Sequence, residues 1–162
     1  MTLLFSKREA EMLRRIAIAL ALLATPVLAD PAAIEGRAQV IDGDTIAVEG
    51  TAPRIRLAYI DALESSQPCY DAADKRYLCG SRAAEALAEI IGRNGRVSCT
   101  ERDRDRYRRI VAACLAGTVD INREMVRSGW AVEYNKYSDG SYAQDGMEAK
   151  SAKKRTLGGT FR

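Results

Sequence analysis

Between Gly36 and Ile60 apolar side chains recur at every second position, a period that fits extended strands and not a helix. Ala38, Val40, Ile46 and Val48 alternate with polar residues on either side of Asp42-Gly43, which reads as two strands joined in a hairpin-like turn. Arg54 to Ile60 alternates again, Ile55, Leu57 and Tyr59 against Arg54, Arg56 and Ala58, so a third strand ends at Asp61. A polar, Pro-containing loop with two cysteines follows from Asp61 to Gly80. The period then changes. Ala84, Leu87, Ile90 and Ile91 recur at helical spacing, with Ser81 as the candidate cap and Gly92 or Gly95 as the stop. Val97 and Cys99, and later Ile110 to Leu115, return to strand patterning around the charged stretch Glu101 to Arg109. Asp120 opens a second helix carrying Ile121, Met125 and Val126 and ending at Gly129; Met147 to Arg155 reads as a third, polar helix. The order is that of an α+β chain, mainly β, in which a short curved antiparallel sheet forms a small barrel with appended helices.

Ahead of the barrel, Met12-Leu13-Arg14-Arg15 leads into the apolar run Ile16 to Leu23 and then Val27-Leu28-Ala29, the pattern of a secretory signal with a small-residue cleavage site. Met1 to Glu11 read as redundant, because Glu9 and Glu11 do not suit a basic leader, and Met12 is a second candidate start. The apolar run is short of the roughly 20 residues a membrane span needs. The expectation is a signal peptide over 1–29 and one domain over 30–162, exported to the periplasm or the medium, without stable membrane association, and monomeric. Of the net charge of +3, two units sit in the leader, so the domain carries about +1 and bulk charge does not argue for nucleic acid.

Four cysteines in an exported chain point to disulfides. Three pairings are possible. Cys69 and Cys79 flank one short loop, whereas Cys99 and Cys114 lie in strand-like runs on either side of a turn, which favours Cys69–Cys79 with Cys99–Cys114. The absence of any C-x-x-C spacing argues against structural zinc. There is no histidine, which excludes a Ser-His-Asp triad, a Cys-His pair and a histidine base, and leaves a carboxylate or a metal-bound hydroxide as proton acceptor.

Three clusters carry candidate chemistry. In Asp42-Gly43-Asp44-Thr45, two acids around a glycine turn offer hard oxygen ligands, although Asp-Gly is also an ordinary hairpin signal. In Arg56 to Glu64, alternation turns Arg56 away from the face of Ile55 and Leu57 while the strand delivers Asp61 at its end. Asp103-Arg104-Asp105-Arg106-Tyr107-Arg108-Arg109 could be a solvated turn of weak ion pairs. Arg109 differs, because it directly precedes the apolar run Ile110 to Cys114 and is positioned by a core strand for bidentate contact with a phosphate.

Together these clusters, V-I-D-G-D-T, R-L-x-x-I-D-x-x-E and D-x-Y-x-R before an apolar strand, resemble the staphylococcal nuclease (thermonuclease) family from about Ile34 to Phe161. The resemblance implies an OB-fold barrel of five strands with about three helices and a Ca2+-dependent phosphodiesterase acting on DNA and RNA, with 5′-hydroxyl and 3′-phosphate products. Carried across, metal carboxylates fall on Asp44 and Asp61 and a main-chain carbonyl ligand on Ala62. The water-activating carboxylate falls on Glu64 and the phosphate-binding arginines on Arg56 and Arg109. Tyr107 and Tyr137 are candidate substrate contacts, with Asn135 at the place of a second flanking tyrosine. Leu63 replaces a frequent proline, Arg108 replaces a glycine, and Thr156-Leu157-Gly158-Gly159 lacks a tryptophan common there.

The chemistry agrees with this. A phosphodiester under attack gains charge on its non-bridging oxygens, which a divalent cation and two arginines stabilise while a carboxylate handles the water. The principal rival is a non-catalytic OB-fold protein that binds nucleic acid. Binding alone would not need three acids facing a polyanion. A disulfide-stabilised exported structural domain, the third reading, leaves those acids unexplained.

Overall fold

Strands β1 (Ile34–Val40) and β2 (Thr45–Val48) pair antiparallel with Val40 opposite Ile46, and β3 (Ile55–Leu57) continues the meander along β2. The computed structural model describes residues 33–71 and 73–152; the signal-peptide expectation, the candidate start at Met12 and the C-terminal Thr156 to Gly159 fall outside them. After β3 come β4 (Ile60–Ala62), β5 (Pro68–Tyr70), β6 (Arg76–Leu78) and helix α1 (Cys79–Ile91). β7 (Arg96–Arg104), β8 (Ile110–Ala116) and β9 (Val119–Asp120) follow, then α2 (Ile121–Arg127), β10 (Ala131–Glu133) and α3 (Ala143–Ser151).

The large sheet runs β3-β2-β1-β7-β8 and closes where Ile55 to Leu57 meets Ile110 to Ala112. That closing pair is parallel, unlike the all-antiparallel sheet expected. Five strands that alternate in direction leave the two outermost pointing the same way, so an odd barrel must close on one parallel pair. Among the described residues the result is a five-stranded OB-fold barrel with three helices. Its interior is filled by Ile46, Ile55, Leu57, Val97, Ile110 and Ala112, and is plugged by Leu87 and Ile91 of α1 and Ile121, Met125 and Val126 of α2. Burial of each such Leu or Ile contributes about 1.5–3 kcal/mol.

One polar side chain ties the closure. Asn122, fully buried at the start of α2, accepts from the backbone N–H of Cys114 at 3.0 Å and donates to the carbonyls of Ala58 and Ala112 at 3.0 and 3.2 Å. Every polar atom it buries is thereby satisfied, as a side chain at this depth requires. Asp120 caps α2 by accepting from the N–H of Arg123 at 2.9 Å, as the sequence suggested. Both disulfides have the expected pairing, Cys99 and Cys114 being direct neighbours across β7 and β8.

Some local expectations are corrected. Ser81 does not cap α1: the helix starts at Cys79, and the Ser81 hydroxyl donates to the carbonyl of Ser65 at 3.0 Å. The third strand does not run unbroken to Asp61, because Tyr59 adopts φ 65° and splits it into β3 and β4. The loop from Asp61 to Gly80 contains the β5–β6 ribbon, and β7 extends into the charged stretch as far as Arg104. Helix α3 begins at Ala143 instead of Met147.

Candidate active site

The turn between β1 and β2 is not the left-handed hairpin that Asp-Gly usually signals, because Gly43 is absent from the positive-φ residues. Its glycine answers to space. A Cβ there would stand 2.7 Å from the Cβ of Ala62 and 2.8 Å from that of Ala83, so only glycine lets the turn seat itself between β4 and α1. Asp44 is thereby buried to 5% exposure, and its own N–H donates to Asp42 Oδ1 at 3.0 Å.

The Asp44 carboxylate accepts from the Thr45 hydroxyl at 2.9 Å and from Arg56 Nη1 at 3.2 Å, with a longer bond of 3.4 Å from the N–H of Ala62. Arg56 Nη2 stands 2.8 Å from Asp44 Oδ2 and 2.5 Å from Asp61 Oδ1. Arg56 is placed by its pairing with Thr45 and Val111, and Asp61 by the pairing of β4 with Val132 of β10. Burial pushes the Asp44 carboxyl up to about 6, because desolvation and the negative charge of Asp42 outweigh Arg56. Burial pulls Arg56 down, yet its pKa ends above the ordinary value because Asp44, Asp61 and Asp42 all face it. Two carboxylates thus share one guanidinium, with Asp42 close enough to add its charge.

That excess of negative charge, with hard oxygen donors, fits an added cation. Among the described residues no three His, Cys, Asp or Glu side chains form a ready-made cage. A cation here would therefore be held by Asp44 and Asp61, with main-chain oxygen such as that of Ala62 and water completing the set.

Beside this cluster lies a cleft of about 690 Å³, lined by Arg56 and Asp61 together with Arg109, Tyr107, Tyr134, Lys136 and Tyr137. Asp105 also lines it. It accepts from the backbone N–H groups of Tyr107 and Arg109, each at 2.9 Å, and from Arg109 Nε at 2.7 Å. Slight desolvation acts against it, but these bonds from Arg109 hold the Asp105 carboxyl below its usual range. Arg109 is half-buried and fixed, whereas Arg104 and Arg106 are exposed. Arg106 lies over the Tyr107 ring at 4.8 Å and Lys136 over Tyr137 at 5.3 Å, and Tyr134 meets Tyr137 edge-on at 5.2 Å. Six basic side chains against three acids line the cleft, although the whole domain is nearly neutral.

Arg56, Asp44, Asp61 and Ala62 are thus brought together, and Arg109, Tyr107 and Tyr137 line the cleft that Arg56 and Asp61 also line. Glu64 is exposed on the loop after β4 and does not line the cleft. That loop is pinned: Gly80 abuts the Glu64 main chain, Ser81 bonds Ser65, and the Cys69–Cys79 bridge closes the ribbon beyond. Sequence reasoning missed Tyr134 and Lys136. Their signal was the spacing of Tyr134 and Tyr137, which brackets a basic residue just after β10. It also missed Asp105 as the residue that orients Arg109.

A closed OB-fold barrel with a buried aspartate paired to an arginine beside a basic, tyrosine-lined cleft defines a protein equipped to hold phosphate esters. Comparison with known proteins agrees. The family described as Staphylococcal nuclease homologue matches residues 54–158. The chain is 34% identical over 160 residues to the micrococcal nuclease of Shigella flexneri, covering 90% of this chain and 83% of that one. It is 38% identical over 136 residues to the succinoglycan biosynthesis protein ExoI of Rhizobium meliloti (strain 1021), covering 83% and 70% respectively. An uncharacterized endonuclease of Haemophilus influenzae (strain ATCC 51907 / DSM 11121 / KW20 / Rd) is 32% identical over 118 residues, covering 69% and 60%. The chain belongs to the staphylococcal nuclease family.

Proposed function

We propose that the protein is an exported, Ca2+-dependent nuclease that hydrolyses phosphodiester bonds of DNA and RNA endonucleolytically, leaving 5′-hydroxyl and 3′-phosphate ends. The observation that carries this reading is the juxtaposition of the Asp44–Arg56–Asp61 cluster with the basic cleft closed by Arg109. A cation held by Asp44, Asp61 and the Ala62 carbonyl would supply positive charge to the phosphate and lower the pKa of a bound water.

The chain's own residues do the rest. Arg56 and Arg109 both line the cleft and stabilise the charge that develops on the phosphate oxygens. Asp105 holds the Arg109 guanidinium through Nε and leaves its two Nη groups to face the substrate. Glu64, exposed on its pinned loop two residues after Ala62, is the carboxylate assigned to orient or deprotonate the attacking water. Tyr107, Tyr134 and Tyr137 offer ring faces to bases. The leader and the two disulfides support export. Among the described residues no helix is long and apolar enough to cross a membrane.

The test is degradation of DNA by the purified protein with and without a chelator. Activity should vanish on chelation and return with calcium. Undiminished hydrolysis in excess chelator contradicts the metal assignment, and no hydrolysis under any metal leaves the non-catalytic nucleic-acid binder as the better reading.

A further inference from the structure

The cleft does not end at the catalytic cluster. On the other side of Tyr59 a second cavity of about 310 Å³ opens, walled by Arg123, Ser141 and Tyr142, and both Tyr59 and Arg102 line the two spaces. Its size is at the lower end of what takes a small ligand, enough for one sugar and base.

Arg102 reaches this junction because of an irregularity in the sheet. The pairing of β7 with β8 steps from Glu101–Ala112 to Asp103–Val111, so Arg102 is the extra residue of a β-bulge. A bulge re-aims the side chain it carries. Of the other arginines nearby, Arg104 is held by Glu101 at 2.7 Å and Arg109 by Asp105 at 2.7 Å, Arg123 lies between Asp120 at 3.7 Å and Asp145 at 3.5 Å, and Arg106 rests over the Tyr107 ring at 4.8 Å. Arg102 is exposed, and it is in none of the ion pairs found among the described residues. Its charge still reaches Asp139 on the wall of the second cavity. An exposed guanidinium at the junction of two spaces is well suited to bind a phosphate.

We propose that Arg102 is a further substrate-binding residue, which grips the phosphate next to the one being cleaved and leads the nucleic-acid strand into the cavity between Tyr59 and Tyr142. The enzyme thus recognises at least one nucleotide beyond its scissile bond. This rests on the nuclease reading above and deepens it.

The experiment compares kcat/KM on a dinucleotide and on a single-stranded DNA dodecamer at fixed salt, for the wild-type protein, Arg102→Ala, Arg102→Lys and Ser141→Trp. Ser141 is exposed on the second cavity and away from the cleft, so tryptophan there fills the cavity, and thermal melts confirm folding. The dodecamer-to-dinucleotide ratio should fall about tenfold in Arg102→Ala, through KM, and recover partly in Arg102→Lys; Ser141→Trp should lower it too. The slope of log KM against log salt on the dodecamer should lessen by about 0.7 in Arg102→Ala, as for one lost phosphate contact on a single strand. If the wild-type protein cleaves both substrates and the ratio is the same in Arg102→Ala, this inference is overturned and the nuclease reading stands. A wild-type protein that cleaves neither substrate overturns both.

Discussion

Arg56 Nη2 lies 2.8 Å from Asp44 Oδ2, a carboxylate only 5% exposed, and the same nitrogen reaches Asp61 at 2.5 Å. Removing Arg56 therefore does two things. It takes one positive charge from the cleft, and it leaves Asp44 buried without its cation. Arg56→Ala should lower kcat roughly 10²-fold, as for loss of a transition-state donor, and should destabilise the fold by roughly 1–3 kcal/mol. Arg56→Lys should not restore turnover, because an ammonium lacks the fork that spans both carboxylates. Steady-state kinetics with thermal melts give both numbers. A variant as stable and as active as wild type removes Arg56 from the mechanism.

The barrel was legible because its strands advertise themselves. Ala38, Val40, Ile46 and Val48 alternate cleanly, and the structure pairs Val40 with Ile46 and Ala38 with Val48. Helix α2 was legible from Asp120, whose side chain makes the cap the sequence suggested. Ser81 looked the same and behaves otherwise, because its hydroxyl is taken by Ser65, sixteen residues back, a partner no local pattern announces. Asp44, Asp61, Arg56 and Arg109 were singled out by the resemblance that the three clusters carry when joined, and the structure brings Asp44, Arg56 and Asp61 into contact. The Tyr134–Tyr137 wall and the role of Asp105 could not be read in this way, since both depend on how loops fold over the barrel mouth.

Gly80 is the next test, because it packs against the loop that bears Glu64. A Cβ at Gly80 would fall 1.8 Å from the Glu64 carbonyl oxygen, so alanine must push that loop away from α1. With the Cys69–Cys79 bridge and the Asn122 joint untouched, Gly80→Ala should keep the fold and lower kcat about tenfold or more. Melting and turnover measured on one preparation separate the two effects. Full turnover in Gly80→Ala means that the position of this loop does not matter to catalysis.

Arg108 carries a cost that the family's glycine avoids. Its φ is 64°, in the left-handed region where a side chain is disfavoured, at the turn that presents Arg109. Arg108→Gly should stabilise the protein by about 0.5–1 kcal/mol and leave kcat as it was, since Arg108 does not line the cleft. Chemical denaturation of the two proteins decides it. A loss of stability would show that the Arg108 side chain contributes more than its backbone costs.

In the proposed catalytic cleft, fixed arginines differ in kind from those on the charged turn. Arg109 is half-buried and oriented by Asp105, whereas Arg104 is exposed and only paired with Glu101. The most direct measurement is kcat and KM for wild type, Arg109→Ala and Arg104→Ala on one DNA substrate with calcium at fixed salt, with melts to confirm folding. Arg109→Ala should lose roughly 10²-fold or more in kcat, and Arg104→Ala should keep kcat and raise KM in a salt-sensitive way. Turnover intact in Arg109→Ala, with only KM raised as in Arg104→Ala, would contradict the account.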